Sequence, residues 1–294
     1  MDAADLRVFA AVAECGTMSR AAAALHTVQS NVTARIRALE ADLGCRLFDR
    51  RAGGTELTEA GKRLLPYAHG IARLFADAAA AARDDGTPSG KLAIGALETT
   101  TALRLAPLLA GYVRAWPEVD LSLRPGTTTE LIAAVREGGI DGAFVCGPIA
   151  DPDLRTRPML REELAVLAAP GARSLEALLA APEIRAVVLR AGCSYRMRLE
   201  AVLARRGIPA PRIMEFGTLE AIFACVHAGL GITLMPRALL GGVCPAERVA
   251  ALALPRAEAM VETVFVSRRD RRETSALAAF LAMAERDFAP ARAA

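Results

Sequence analysis

The residues between positions 29 and 37 combine amide, hydroxyl and guanidinium side chains, which proteins use to contact DNA bases and phosphates. Amides pair bidentately with adenine, guanidinium groups favour guanine or phosphate, and hydroxyls reach bases or phosphates. The residues are Gln29, Ser30, Asn31, Thr33, Arg35 and Arg37. No Asp or Glu occurs between Glu14 and Glu40, so no carboxylate in this stretch repels phosphate. The pattern predicts a DNA-binding face, and the alternative is an ordinary solvated helix face.

Three short helices are predicted to position this face. Apolar residues at helical spacing from Leu6 to Ala13 predict a first helix that ends at Gly16. We expect Ser19 to cap a second helix and Thr27 to cap a third.

In the third helix an apolar stripe is predicted to face the core, namely Val28, Val32, Ile36 and Leu39. The helical wheel then turns the opposite set outward, namely Ser30, Thr33, Ala34 and Arg37. This arrangement is typical of a helix-turn-helix.

The segment from Ser19 to Glu40, SRAAAALHTVQSNVTARIRALE, resembles the helix-turn-helix signature of LysR-type transcriptional regulators. The resemblance continues at the family's spacing through Leu43-Gly44, Leu47-Phe48-Asp49-Arg50 and Leu57-Thr58-Glu59-Ala60-Gly61. One departure is Val28, since the family often has serine there. The resemblance implies a regulator that binds promoter DNA as a homodimer or a tetramer. The outward position of Ala34 on the helical wheel adds it to the expected DNA-binding residues.

A small β wing is predicted between Leu47 and Leu57, where a strand, a glycine turn and a returning strand follow one another. We expect Arg50 and Arg51 on this wing to contact the DNA backbone or the minor groove. For Arg50 the alternative is an internal salt bridge that holds the wing.

A heptad seam follows the wing, with apolar residues spaced alternately four and three apart. The seam consists of Leu64, Ala68, Ile71, Phe75, Ala78 and Ala82. Pairing with a second copy of the chain would bury this seam and fix the distance between two recognition helices. The alternative is that the seam packs on its own domain. Pro66 and Gly70 predict local bending, and the Asp-, Gly- and Pro-containing stretch 84–90 predicts a hinge.

From Lys91 onward predicted strands alternate with helices, which indicates an α/β domain with a largely parallel sheet and two lobes. The resemblance implies a periplasmic-binding-protein-like fold whose two lobes are crossed twice by the chain. We therefore assign residues 1–59 to a winged helix-turn-helix domain, 60–86 to a dimerising linker helix with its hinge, and 87–294 to an effector-binding domain. Lobe one takes about 91–162 and 267–294, and lobe two about 163–266.

An effector site is expected at the strand-to-helix turns of this domain, where ligands bind in α/β sheets and helix N-termini face anions. Several of these turns are rich in hydroxyls, although helix capping is the alternative role of each hydroxyl by itself. Arg196 adds a cation that can pair with a carboxylate, and Tyr195 an apolar ring with a polar tip. We expect a small organic anion bound by Thr99, Thr100, Thr128, Gly147, Ser194, Tyr195, Arg196 and Thr218.

Other classes of function find less support in the sequence. The three histidines, His26, His69 and His227, fall in the helix-turn-helix, the linker and an apolar helix, so we expect no catalytic site, metal or cofactor. The net charge of +3 by itself does not indicate a nucleic-acid partner. Six scattered cysteines and the absence of a signal peptide or membrane span indicate the cytoplasm.

Two alternatives to ligand sensing remain open from the sequence. In the first, Cys193 is a redox-sensing thiol, because a helix N-terminus and Arg196 would lower its pKa. Cys146 or Cys225 would then be its partner. In the second, the C-terminal half is a solute-binding protein, which the fused DNA-binding half argues against.

Overall fold

The computed structural model describes residues 1–51, 54–181 and 183–288, and for Arg50 and Arg51 it describes the backbone alone. The chain divides into two compact units, Met1–Arg83 and Asp84–Ala294. The predicted linker helix therefore belongs to the first unit. No helix in the described ranges is long and apolar enough to cross a bilayer.

The first unit is a helix-turn-helix with a β hairpin and a long helix after it. Its elements are α1 (Ala3–Cys15), α2 (Met18–Ala24), α3 (Gln29–Leu43), β1 (Phe48–Arg51), β2 (Gly54–Leu57) and α4 (Glu59–Arg83). As predicted, α1 ends at Gly16, whose φ of 71° is left-handed and suits glycine. Phe9 of α1 and Ile36 of α3 lie in one buried core with Phe48 of the hairpin. The antiparallel pairing of β1 with β2 forms the predicted wing, whose turn at residues 52 and 53 lies outside the described residues.

The helix caps differ from the prediction by one or two residues. Thr17, not Ser19, caps α2, since its side chain accepts a hydrogen bond from the backbone of Arg20 at 3.1 Å. Val28, not Thr27, is the N-cap of α3, and its side chain cannot accept a capping hydrogen bond. Val28 is also 65% exposed, so it lies outside the buried stripe to which we assigned it. The remainder of that stripe, Val32, Ile36 and Leu39, is buried as predicted.

The long helix α4 divides its apolar seam between two environments. Ala68 is buried, and Leu64 and Ile71 pack against the core of the same unit, as the alternative interpretation proposed. Further along, Phe75 is 62% exposed and Leu74 is exposed beside it. Within the described part of the chain, only the first half of the seam is therefore covered.

The second unit alternates strands and helices over most of its length. Its elements are β3 (Gly90–Ala96), α5 (Glu98–Thr100), a π-helical stretch (Thr101–Leu105), α6 (Ala106–Ala115), β4 (Val119–Pro125), α7 (Thr128–Arg136), β5 (Gly142–Cys146), β6 (Leu154–Ala168), α8 (Leu175–Leu179), β7 (Arg185–Leu189), α9 (Ser194–Ala204), β8 (Arg212–Phe216), α10 (Leu219–His227), β9 (Thr233–Pro236), two 3-10 turns (Arg237–Leu239 and Ala246–Arg248), β10 (Ala250–Ala253), α11 (Arg256–Ala259), β11 (Met260–Arg268) and α12 (Ser275–Phe288).

The main sheet of this unit is mixed, which corrects the expectation of a largely parallel sheet. Its order among the described strands is β10-β6-β11-β5-β3-β4, with β9 also paired to β6. The β3 strand runs parallel to β4 and β5, whereas the pairings of β6 and β11 are antiparallel. A separate parallel pair joins β7 to β8.

Two lobes are recognisable because β6 and β11 are shared between them. In lobe one β11 pairs with β5 from Thr263 to Ser267, so the strand enters that lobe before residue 267, where we had placed the boundary. In lobe two β9 and β10 pair with the last part of β6, from Leu164 to Ala168. The chain thus crosses twice between the lobes along a pair of adjacent antiparallel strands.

Candidate DNA-binding and effector sites

The outward face of α3 presents the predicted polar side chains to solvent. Of the outward set, Thr33 is partly exposed and Ser30, Ala34 and Arg37 are exposed. Gln29 and Asn31, which lie beside this set, are exposed as well. Two of them are oriented by neighbouring hydroxyls. Ser19 Oγ donates to Gln29 Oε1 at 2.9 Å, and Asn31 Nδ2 donates to Thr27 Oγ1 at 3.0 Å. These hydrogen bonds restrict amides that still face solvent, which favours a defined geometry for base contact.

Arg35 differs from the rest of the predicted DNA-binding set because it is paired within its own unit. Its guanidinium lies 2.8 Å from Asp5 and 3.9 Å from Asp2 at the start of α1. The ion pairs join α3 to α1. The position of Arg35 thus supports a structural role more than the DNA contact that we expected.

The wing is hydrogen-bonded to the helical part of the unit at both of its strands. In β1, Phe48 donates from its backbone N to Glu40 Oε1 of α3 at 3.2 Å. Thr55 donates from its backbone N and from its Oγ1 to the carbonyl oxygen of Gly16, at 2.8 and 3.1 Å. The end of α1 therefore fixes where the hairpin emerges. The side chains of Arg50 and Arg51, which we expected to contact DNA, lie outside the described residues.

A cavity of about 240 Å³ lies in the second unit, at the carboxyl ends of β3, β4, β7 and β8. Two of these strands belong to each lobe, so the cavity lies between the lobes, at the sheet edge where the sequence predicted an effector site. It is lined by Leu97, Glu98, Thr99, Pro125, Gly126, Thr127, Leu189, Arg190, Cys193, Ser194, Tyr195, Phe216 and Gly217.

Three of the predicted effector residues, Thr99, Ser194 and Tyr195, line this cavity. Two more lie directly behind the lining. Thr100 is buried next to Thr99. Thr128 Oγ1 accepts a hydrogen bond of 2.9 Å from Ser194 Oγ, which links the two lobes.

Three predicted effector residues have other roles in the described structure. Thr218 caps α10 by accepting a hydrogen bond from the backbone of Ala221, which is the alternative that we considered for each hydroxyl. The carbonyl oxygen of Gly147 accepts from Arg198. Arg196 is bound at 3.1 Å by Glu200 and at 2.6 Å by Glu215. Arg196 is thus paired with carboxylates and is not among the residues that line the cavity.

The charged residues of the cavity are two that the sequence analysis missed, Glu98 and Arg190. Arg190 follows β7 directly and donates to Glu130 at 3.1 Å. Glu98 follows β3, and burial raises the pKa of its carboxyl. Both stand at strand ends, so the rule that selected the hydroxyls could have selected them as well.

The N-terminus of α9 opens on the cavity. No described side chain caps this helix with a hydrogen bond of normal geometry, and the backbone N–H groups of Tyr195 and Arg196 face the thiol of its N-cap residue, Cys193. Two buried hydroxyls of the lining, Thr99 Oγ1 and Tyr195 OH, make no hydrogen bond of normal geometry with any described residue, although Tyr195 OH lies close to Thr99 and to the buried carboxyl of Glu162. Thr99 is 1% exposed and Tyr195 is 3% exposed. Because buried hydroxyls are normally paired, these two indicate a place for a ligand's polar group.

The Cys193 thiol does not have the environment that we expected. Burial raises its pKa, and this outweighs the backbone N–H groups of Tyr195 and Arg196 and the charge of Arg196, which act in the opposite direction. Burial likewise raises the pKa of Cys146. The expectation of a lowered thiol pKa is therefore wrong, and with it the main argument for a redox-sensing cysteine.

Comparison with known protein families identifies both parts of the chain. Residues 3–62 match the bacterial regulatory helix-turn-helix protein model of the lysR family, and residues 85–289 match the LysR substrate binding domain. The chain belongs to the LysR family.

Related transcriptional regulators are similar to this chain over nearly its full length. The uncharacterized HTH-type transcriptional regulator YusT of Bacillus subtilis is 43% identical over 96% of this chain and 94% of its own length. The HTH-type transcriptional regulator GltR of Bacillus subtilis is 40% identical, over 94% of this chain and 93% of its own.

Solved structures of LysR-family proteins share the fold of this chain. Full-length CbnR in complex with its target DNA aligns with a TM-score of 0.67 at 27% identity, over 98% of this chain and 100% of that one. Full-length OxyR from Pseudomonas aeruginosa aligns with a TM-score of 0.69 at 19% identity, over 98% of this chain and 94% of that one. The expected order of a winged helix-turn-helix followed by a two-lobed domain is thus confirmed.

Proposed function

We propose that this chain is a transcriptional regulator that binds promoter DNA through α3 and responds to a small organic anion bound in the cavity between its two lobes. The exposed polar face of α3 is the observation that carries the proposal. That face is free of carboxylates and follows the signature of a DNA-binding family.

DNA contact is assigned to the side chains that remain available on α3. Gln29, Asn31 and Arg37 have the donors and acceptors that distinguish bases in the major groove, and Ser30 and Thr33 have hydroxyls for bases or phosphates. Arg35 supports the helix through Asp5. Arg50 and Arg51 are kept as wing contacts on the strength of the sequence.

The anionic character of the effector is supported by the α9 end of the cavity. The first N–H groups of this helix carry partial positive charge. Together with the hydroxyls of Thr99 and Tyr195 they form a set of donors that suits a carboxylate.

A homodimer is proposed on the evidence of α4, and a tetramer would follow from pairing two dimers. The second half of its seam is exposed, including Phe75, and the neighbouring Leu74 is exposed as well. An exposed apolar stripe on a helix favours pairing with another copy. CbnR, whose fold this chain shares, has been solved in complex with its target DNA.

DNA binding is tested by fluorescence anisotropy with DNA from upstream of the gene that encodes the chain, and with unrelated DNA of equal length. Arg37→Ala and Gln29→Ala should weaken binding to the upstream DNA by roughly 10-fold or more, since a good base contact contributes about 1–3 kcal/mol. Arg7→Ala, an exposed arginine of α1, is the matched control. Equal affinity of all four proteins would show that α3 is not the recognition helix.

Anion binding is tested on the full chain by a thermal-shift screen of small carboxylic acids. A saturable rise in melting temperature is expected with at least one acid. Tyr195→Phe, which removes only the hydroxyl, should reduce this rise, whereas Arg196→Ala should retain it because Arg196 is paired outside the cavity. A rise that depends on Arg196 and not on Tyr195 would contradict the proposed orientation.

A further inference from the structure

The charges around the mouth of the cavity are predominantly negative. Glu98 lines the cavity, and its carboxyl faces the backbone N–H of Leu219 at the start of α10. The negative charge of Glu220 lies close to it and Arg190 is the cation that acts on it. Arg190, however, is shared with Glu130, to which it donates at 3.1 Å. Arg190 is therefore shared by Glu98 and Glu130, and Glu220 adds a further negative charge, so the carboxylates beside Glu98 outnumber this cation.

Partial burial makes that imbalance costly. Desolvation is the largest influence on Glu98 and raises the pKa of its carboxyl, with a further rise from the charge of Glu220. A cation placed beside a partly buried carboxylate both restores its lost solvation and cancels its charge. A ligand with a positive group would therefore be favoured beside Glu98.

Hydrogen-bond donors lie beside this carboxyl, at the N-terminus of α9, because Thr99 is the next residue of the chain and the charge of Glu98 acts on Cys193, the N-cap of α9. The first N–H groups of the helix and the buried hydroxyls of Thr99 and Tyr195 are donors that suit a carboxylate. The lining also includes the apolar side chains of Leu97, Leu189 and Phe216. The cavity thus offers donors and a carboxylate close together next to an apolar wall, and its volume of about 240 Å³ suits a small metabolite.

We infer that the effector is an amino acid whose carboxylate binds at the N-terminus of α9, whose ammonium group pairs with Glu98, and whose side chain lies against the apolar wall. This inference rests on the proposed effector site and names its ligand class. It also explains why an anion-binding cavity contains a glutamate, which would repel a simple carboxylic acid.

Calorimetric titration of the full chain with the standard L-amino acids tests the inference. Each amino acid that binds is compared with the 2-hydroxy acid that has the same side chain. In the wild-type chain, replacement of the ammonium by a hydroxyl should weaken binding about 10- to 100-fold, which is the range expected for loss of a hydrogen bond between charged groups. In Glu98→Gln the two compounds should bind with similar affinity, while Glu220→Gln, a matched change outside the lining, should keep the preference.

The outcomes separate this inference from the proposed function. Equal binding of amino and hydroxy acids in the wild type, or a preference that survives Glu98→Gln, overturns the ammonium pairing but leaves an anion site. Failure of every amino acid and every hydroxy acid to bind overturns the anionic effector as well, whereas the DNA-binding test is unaffected. If Glu98→Gln does not fold, the paired wild-type titrations still decide.

Discussion

At the residue scale, the recognition helix begins with a side chain that cannot cap it. Val28 occupies the N-cap position and is exposed to solvent. Serine there would accept a hydrogen bond from the first turn, so Val28→Ser should stabilise α3 by about 1 kcal/mol. Hydrogen–deuterium exchange of residues 27–43 would report this as slower exchange in the first turn. Val28→Ala removes the same apolar group without adding a cap and should show no such slowing; equal effects of the two substitutions would argue against the capping explanation.

Glu162 is a second residue whose environment has a measurable consequence. It is 6% exposed, and its Oε2 accepts a hydrogen bond of 3.1 Å from Thr263. Burial raises the pKa of its carboxyl. Because the folded-state pKa is above the unfolded one, the contribution of Glu162 to stability is present at low pH and is lost as pH rises through the raised pKa.

Glu162→Gln keeps an acceptor for Thr263 and removes the charge. The substituted chain should therefore lose less unfolding free energy than the wild type between about pH 5 and 8. Urea unfolding followed by the fluorescence of Trp116, which lies in the same unit, measures this difference. Glu163→Gln, an exposed neighbour, is the control and should follow the wild-type pH dependence. Parallel curves for all three proteins would mean that folding does not raise the pKa of Glu162.

At the scale of elements, sequence patterns located most helices and strands because each has the expected period and turn residues. The first part of β6 has no clear strand signal in the sequence, because Pro158 argues against a central strand. In the structure Pro158 pairs with Val264 where the register of β6 and β11 shifts, and a bulge is a place that tolerates proline. The short β10 cannot be predicted either, because its sequence, Ala250–Ala253, does not distinguish a strand from a helix.

Prediction of the site had similar limits. The rule that ligands bind at the carboxyl ends of strands located the cavity, because the topology of this fold brings the ends of four strands together. It did not separate lining residues from capping or paired ones. Arg196 was chosen for its charge, but Glu215, which binds it, lies 19 residues further along the chain. Such long-range pairs have no signal in a single sequence.

The seam of α4 gives a prediction about assembly. Phe75 is exposed at a seam position, and burial of a phenylalanine contributes about 1.5–3 kcal/mol. Phe75→Glu should thus weaken self-association by at least about 10-fold, measured by analytical ultracentrifugation over a range of concentrations. Ala80→Glu places the same charge on the opposite face of the helix and should leave association unchanged. Equal weakening by both substitutions would mean that the seam is not the interface.

At the scale of the whole molecule, binding to DNA has to arise from the distribution of charge, because the net charge of the chain is only +3. A carboxylate-free recognition face supplies such a distribution locally. The salt dependence of affinity then measures how many phosphates the protein neutralises, since each phosphate contact contributes about −0.9 to the slope of log K against log salt. That slope distinguishes a phosphate contact from a base contact.

Arg37 can be assigned by this measurement. If Arg37 reads a base, Arg37→Ala should reduce the preference for upstream DNA over unrelated DNA by about 1–3 kcal/mol and leave the salt slope unchanged. If it binds phosphate, the substitution should weaken binding to both DNAs equally and reduce the magnitude of the slope by about 1 per subunit. Because Arg37 projects from the third turn of α3 on the same exposed face as Thr33 and Ala34, we expect the first result. Arg7→Ala, which removes an equal charge from α1, should change neither quantity, and a change of slope in that control would indicate a broader electrostatic contact.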